Sequence, residues 1–243
     1  MKRRFFLLRP GIIALTGILI GSLLFSACKK GLDNESTQTP VAGLMAFNLV
    51  PDKEAIGVAL SGNNFTNSPL AYTNYSGGYR GVYVGSRQVE SYDFSSGATL
   101  DTTLQVFEPN TYYSVFVAGL NGKYKNIIVK DDLDSLSSTT NEAFVRYVNA
   151  VPDSTGQPLV TISSNGTNVF SNDAAFASVS DFKKITPGNV SVTVNNEAAI
   201  NANRTIVLEG GKIYTILLVG TPGATDSTKA VQIKYIQNGT ITQ

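Results

Sequence analysis

The chain has no histidine and no tryptophan, and its one cysteine is Cys28. Without histidine, a Ser-His-Asp relay lacks its imidazole base, and a Cys-His pair lacks its base too. Zinc sites built from Cys and His lack ligands. A single cysteine cannot close a disulfide within the chain. Carboxylate, Lys, Tyr and Ser/Thr chemistry alone remains open. No glycine-rich phosphate loop follows a strand and opens a helix. No cofactor and no metal is expected. Beyond the N-terminus no segment carries a helical period.

Charged residues make up only 15% of the 243 residues, against 42% hydrophobic, while Ser, Thr, Asn and Gly abound. That mixture suits short strands joined by turns. The formal charge of +1 includes Lys2, Arg3, Arg4 and Arg9, which lie in a segment expected to be removed. Without these four, 15 of the 19 Lys and Arg remain against 18 Asp and Glu, and the mature chain is near −3. The remaining cations are scattered. Nucleic acid, which needs a concentrated basic face, is not an expected partner.

The apolar run Ile12–Phe25 is about fourteen residues, short of the ~20 of a membrane-spanning helix. It follows the basic residues and leads into Leu24-Phe25-Ser26-Ala27-Cys28. A basic start, a short apolar middle and a small-residue exit make a secretory signal. With cysteine at the cut, the segment resembles a bacterial lipoprotein signal of the looser kind familiar in Bacteroidota. Phe25 departs from the strictest pattern, which prefers leucine at that place. The other readings are a plain signal peptide and an uncleaved anchor. The resemblance implies a signal over 1–27 and a lipid on Cys28, holding the protein to the membrane. Each buried methylene adds about 0.8 kcal/mol of membrane affinity. The location implied is the cell envelope at the outer membrane, with the face left open. Residues 28–42 then form the lipidated cysteine and a polar tether.

"FNLVPD" at Phe47–Asp52 returns as "VNAVPD" at Val148–Asp153, 101 positions later. "LQVFEPNTYYSVFVAG" from Leu104 returns as "TIVLEGGKIYTILLVG" from Thr205 at the same offset. A common offset at both ends means two tandem copies, over 43–130 and 143–237, joined by a polar linker at 131–142 and followed by a tail at 238–243. Each is about 90–95 residues, the size of an immunoglobulin-like sandwich. Tyr112–Val117 and Ile213–Val219 read as strands ending at glycine, and Val231, Ile233 and Tyr235 alternate with polar residues. The fold expected is all-β: two tandem immunoglobulin-like or fibronectin-like β-sandwiches. Pro51 should stop a strand, with Asp52 bonding to nearby backbone and Asn48 and Asn149 capping the same turn. Phe107-x-Pro109-x-Thr111-x-Tyr113 is similar to the tyrosine corner of fibronectin type III domains, and Leu208-x-Gly210-x-Lys212-x-Tyr214 is a looser copy.

A strand, "N-x-x-P-D", a mid-domain glycine and "L-E-x-G-x-x-Y-T-x-x-x-x-G" together resemble the domain of unknown function 4397 family. Asn149, Pro152, Asp153, Gly188, Leu208, Glu209, Gly211, Tyr214, Thr215 and Gly220 carry the match in the second copy. In the first, Asn110 stands for Gly211 and Ser114 for Thr215. The family occurs in secreted and surface-attached bacterial proteins. The resemblance covers nearly all of 43–236 and brings no catalytic residues.

Tyr72, Tyr75, Tyr79 and Tyr83 are the candidate ligand-binding residues, because sugar rings stack on exposed aromatic faces. Aligned locally, Phe176, Val179, Phe182 and Ile185 of the second copy face these four, which favours inward-facing positions. Asp131, Asp132 and Asp134 could grip calcium, but fit no calcium loop and read as solvated linker. Glu108 and Glu209 sit at matching turns in separate copies. Four Asp-Ser/Thr sites resemble the O-glycosylation signal of secreted Bacteroidota proteins, with Thr102, Ser135, Ser154 and Ser227 as acceptors in expected turns or linkers. The expected function is a non-catalytic interaction or adhesion lipoprotein engaging polysaccharide or envelope protein. The alternatives are a spacer without a ligand and, last, a carboxylate-based glycan hydrolase.

Overall fold

The computed structural model describes residues 39–137, 141–152, 156–196 and 199–241. Cys28 and Ser154 lie outside these residues. Module 1 holds β1 (Val41–Leu49), β2 (Ala55–Leu60), β3 (Asn63–Asn64), β4 (Leu70–Ala71), β5 (Arg80–Tyr83), β6 (Gly85–Asp93), β7 (Thr99–Phe107), β8 (Tyr112–Leu120) and β9 (Lys123–Asp131). Module 2 holds β10 (Ala143–Asn149), β11 (Leu159–Ser164), β12 (Thr167–Asp173), β13 (Lys183–Ile185), β14 (Gly188–Asn195), β15 (Asn201–Leu208), β16 (Lys212–Val219) and β17 (Gln232–Thr240). Strand β9 thus takes in Asp131, first read as linker. Strand β17 runs through residues first read as a tail. Among the described residues, no helix is long and apolar enough to cross a membrane.

Each module is a sandwich of two sheets. One sheet has the order β5-β1-β8-β9, with its copy β13-β10-β16-β17. The other has the order β3-β2-β6-β7, with its copy β12-β11-β14-β15. The first strand of each module lies mid-sheet and runs parallel to the strand after the tyrosine turn, Phe47 facing Phe116 and Val148 facing Leu217. In an immunoglobulin constant domain the first strand instead joins the B-E-D sheet. The sandwich architecture is shared; the strand order is this chain's own.

Side chains alternate across a strand, and here both sides of the central sheets are covered. Leu44, Ala46, Val115 and Val117 face the core of module 1 with Ile56, Val58 and Val89. Val145, Tyr147, Tyr214 and Ile216 do the same in module 2 with Val160, Ile162 and Val192. The intervening residues Met45, Phe47, Leu49, Phe116 and Ala118 meet Val148, Ala150, Leu217 and Val219 in a third core. The two equivalent sheets therefore pack face to face, and the two modules form a stack of four layers. Each module closes its own core, and the shared one fuses them. Linker residues Leu133 and Leu136 pack against Phe144, Ile213 and Ile241.

Duplicated local devices hold the duplicated fold. Asn48 Oδ1 accepts from Val50 N at 2.9 Å while its Nδ2 reaches Leu70 O at 2.8 Å. Asn149 makes the same pair of bonds with Val151 N and Ala174 O. The tyrosine corners form in both copies: the Tyr113 hydroxyl accepts from Glu108 N at 3.2 Å, and that of Tyr214 from Glu209 N at 3.1 Å. Asp52 departs from its expected local bonding. It accepts from Asn121 N and the Tyr124 hydroxyl, across on the β8–β9 hairpin. Asn110 can replace Gly211 because asparagine tolerates the left-handed region; their φ values are 54° and 70°. Gly119 and Gly220, which end the matched strands, have φ of 133° and 115°. A Cβ on either would lie 2.2–2.3 Å from a backbone carbonyl oxygen.

Candidate functional site

The two flanks of module 1 differ. On one flank β9 is stitched to β7, where Asn126 N donates to Asp101 Oδ2 at 2.7 Å and Asn126 Nδ2 to Asp101 O at 3.2 Å, and to β6, where Nδ2 also donates to Val89 O at 3.1 Å. On the other, edge strands β3 and β5 leave a groove of about 420 Å³.

The groove exists because an edge strand is interrupted. Strand β2 pairs with β3 at one end (Leu60 with Asn63, Ala59 with Asn64) and with β4 at the other (Ile56 with Leu70). Between them the segment Phe65-Thr66-Asn67-Ser68-Pro69 leaves the ladder, and Pro69 has no N–H to give it. The Thr66 hydroxyl takes the missing strand's place, accepting from Val58 N at 2.9 Å, while Phe65 N and Thr66 N both donate to Val58 O. In module 2 the corresponding β12 pairs along β11 from Thr167 to Asp173, with one register shift between Ile162 and Ser163. The break between β3 and β4 is a departure of one copy from the other.

Asn63, Asn64, Phe65 and Asn67 line one wall, and Arg80, Val82 and Tyr83 of β5 line the other, with Arg87 of β6. The Arg80 guanidinium lies 4.2 Å from the Phe65 ring centroid and donates through Nη2 to Phe65 O. Module 2 keeps the stacking, with Lys183 4.5 Å from the Phe170 ring. The Nε of Arg80 is buried without a hydrogen-bond partner. Tyr83 is 64% exposed. An exposed ring flanked by amide and guanidinium donors can hold a flat, hydroxyl-bearing ligand.

The four candidate tyrosines separate. Tyr72, Tyr75 and Tyr79 are half-buried against the shared core between modules, where Tyr75 stacks on Phe47 at 5.6 Å. Tyr75 also borders a second depression of about 290 Å³ behind the Asn67 loop. Tyr83 alone stands at the groove. The sequence alignment sets it against Ile185, but the ladders pair Ala143 with Ile185 and the matching Ala42 with Val82. Ile185 therefore corresponds to Val82, both being buried. Because the side-chain period of a strand is two, a slip of one residue moves a side chain to the opposite face.

Asp131 is no solvated linker residue: its side chain is 0% exposed and forms an ion pair with Arg146 of module 2. Its Oδ2 accepts from the hydroxyls of Tyr79 and Ser114, each at 2.6 Å. Arg146 also donates to Thr215 Oγ1 and Ser114 Oγ, each at 3.0 Å, and lies 4.4 Å from the Phe182 ring. Burial first, then the Asp131 charge, push the Tyr79 hydroxyl above its ordinary pKa; burial alone does the same to Tyr72. Asp132 and Asp134 are exposed. Among the described residues, no group of three or more His, Cys, Asp or Glu could hold a metal ion. Glu108 forms an exposed ion pair with Lys130 at 2.6 Å. Of the expected glycan acceptors, Ser135 and Ser227 are exposed in turns, whereas Thr102 is exposed on strand β7. Sequence reading missed Arg80, Arg87 and the asparagines. Asn63-Asn64 and Asn67 beside Pro69 are the signal that could have marked an interrupted edge.

The chain belongs to the domain of unknown function 4397 family, which it matches over residues 42–156 and again over 143–238. No curated protein sequence matches it. Among solved structures it is similar to a family 26 carbohydrate-binding module from Eubacterium rectale in complex with maltoheptaose. The identity is 10%, the TM-score 0.26, and the match covers 84% of this chain and 98% of that one. It is also similar to a candidate cell adhesion protein from Bacteroides eggerthii, at 9% identity and a TM-score of 0.28, covering 84% and 97%. At such scores these likenesses carry no argument about what this chain does.

Proposed function

We propose that the protein is a non-catalytic interaction module of the cell envelope, held to the outer membrane through lipid on Cys28, that binds polysaccharide at the groove of module 1. The observation that carries this reading is the groove itself: one copy of a duplicated module has opened its edge and placed an exposed tyrosine, three asparagines and two arginines around the opening. A paired-carboxylate hydrolase gains no support from the acids, since Asp131 is spent on an ion pair and Glu108 lies in an exposed one. Titrating the detergent-solubilised full chain with a panel of polysaccharides tests the reading. Saturable binding that Tyr83→Ala abolishes is expected. Uniformly null titrations would count against it. A mass of the native protein equal to polypeptide plus lipid would further exclude glycans at Thr102, Ser135, Ser154 and Ser227.

The fused interface favours a second reading, a rigid spacer without a ligand. Two modules locked by a shared core and a buried ion pair cannot hinge freely, as a strut requires. It predicts no saccharide binding but weakened envelope integrity when the protein is deleted.

A further inference from the structure

We infer that the groove selects acidic saccharides, with an oxyanion borne on the sugar set between Arg80 and Arg87 and the sugar ring laid on Tyr83. This rests on the proposed function and deepens it. None of the groove's ten lining residues is acidic. Among the described residues, no carboxylate lies within ion-pair reach of either arginine, though four other Lys and Arg residues have one. The groove therefore concentrates positive charge with no counter-charge of its own. A guanidinium is shaped to meet a planar oxyanion with two parallel hydrogen bonds.

The protein contacts leave that capacity unspent. Arg80 donates to one carbonyl through Nη2, while its Nε is buried and unpartnered. That Nε is closed off from the opening, so Arg80 acts on a ligand through its positive charge rather than through this donor. Arg87 makes only long bonds to the carbonyls of Tyr83 and Val84, at 3.4 and 3.2 Å. Its position beside the exposed Tyr83 puts charge and ring on the same opening. A neutral glucan would satisfy the ring and leave both cations unmet. A uronate carboxylate and a sulfate ester present the same oxyanion chemistry, and the test separates them.

The experiment is calorimetric titration of the detergent-solubilised full chain with oligogalacturonate, dextran sulfate and neutral dextran of matched length, at low and physiological salt. Oligogalacturonate or dextran sulfate, or both, should bind at least about tenfold tighter than dextran, and added salt should weaken them, because screening acts on charge. Arg87→Gln should cost the acidic ligand about tenfold, and Arg87→Lys should restore part of it. Arg80 packs on Phe65, so its substitution can disturb the fold; Arg87 is the cleaner variant. Dextran binding as tightly as the acidic chains overturns the acid preference while leaving the groove as a binding site. Acidic binding unmoved by Arg87→Gln overturns the placement. Binding of none of the three, with none across the wider panel, overturns both the inference and the reading beneath it.

Discussion

Arg146 and Asp131 form a buried ion pair between the modules. Both are buried, each oxygen of the carboxylate has a partner, and the pair joins the two modules. Removing one member strands the other charge in the interior. Arg146→Met should cost about 3–5 kcal/mol in urea unfolding for that reason. A loss under 1 kcal/mol would mean that water reaches Asp131. Tyr79 makes a pH argument. Its raised pKa means that the folded protein keeps the proton to higher pH than the unfolded chain, where tyrosine ionises near pH ~10. Its contribution is whole below that value and drains away as pH rises beyond it. Tyr79→Phe should flatten the fall in stability above pH ~10, measured by unfolding midpoints across alkaline pH. An unchanged slope would remove Tyr79 from the account. Local punctuation was legible in the sequence: the paired asparagines, the tyrosine corners and Asn110 all stood at matched offsets. The ion pair was not, because Asp131 among polar neighbours reads as solvent-facing until Arg146 is placed opposite it.

At the scale of the element, the interrupted edge of β2 is what separates the two copies. Thr66 stands in for a missing strand by accepting from Val58 N. Thr66→Val keeps the shape and removes the acceptor, so a buried N–H goes unpaired. A loss of about 1–3 kcal/mol is expected in denaturant unfolding. A neutral result would mean that the loop is not held by this bond, and the groove wall with it. Strand existence was legible from β-branched and aromatic runs ending at glycine. Register was not: one residue's slip between Tyr83 and Val82 hid the groove's exposed ring. The loop Phe65–Pro69 carried no periodicity to read.

At the scale of the whole molecule, duplication gives two sandwiches, and their equivalent faces meet as a second copy's face would meet the first in a symmetric dimer. The clue to this was in the sequence. Leu44–Leu49 and Phe144–Val148 lack the polar alternation of a half-exposed strand, the pattern of sheets covered on both sides. The fusion packs three of the four candidate tyrosines, half-buried, against the shared core and leaves the edge of module 1 with an open groove that is both charged and aromatic. Chemical-shift mapping of the labelled full chain, titrated with oligogalacturonate, tests this claim most directly. Perturbations should gather at Asn63–Asn67, Arg80–Tyr83 and Arg87. Perturbations confined to module 2, or spread evenly over both modules, would contradict the account.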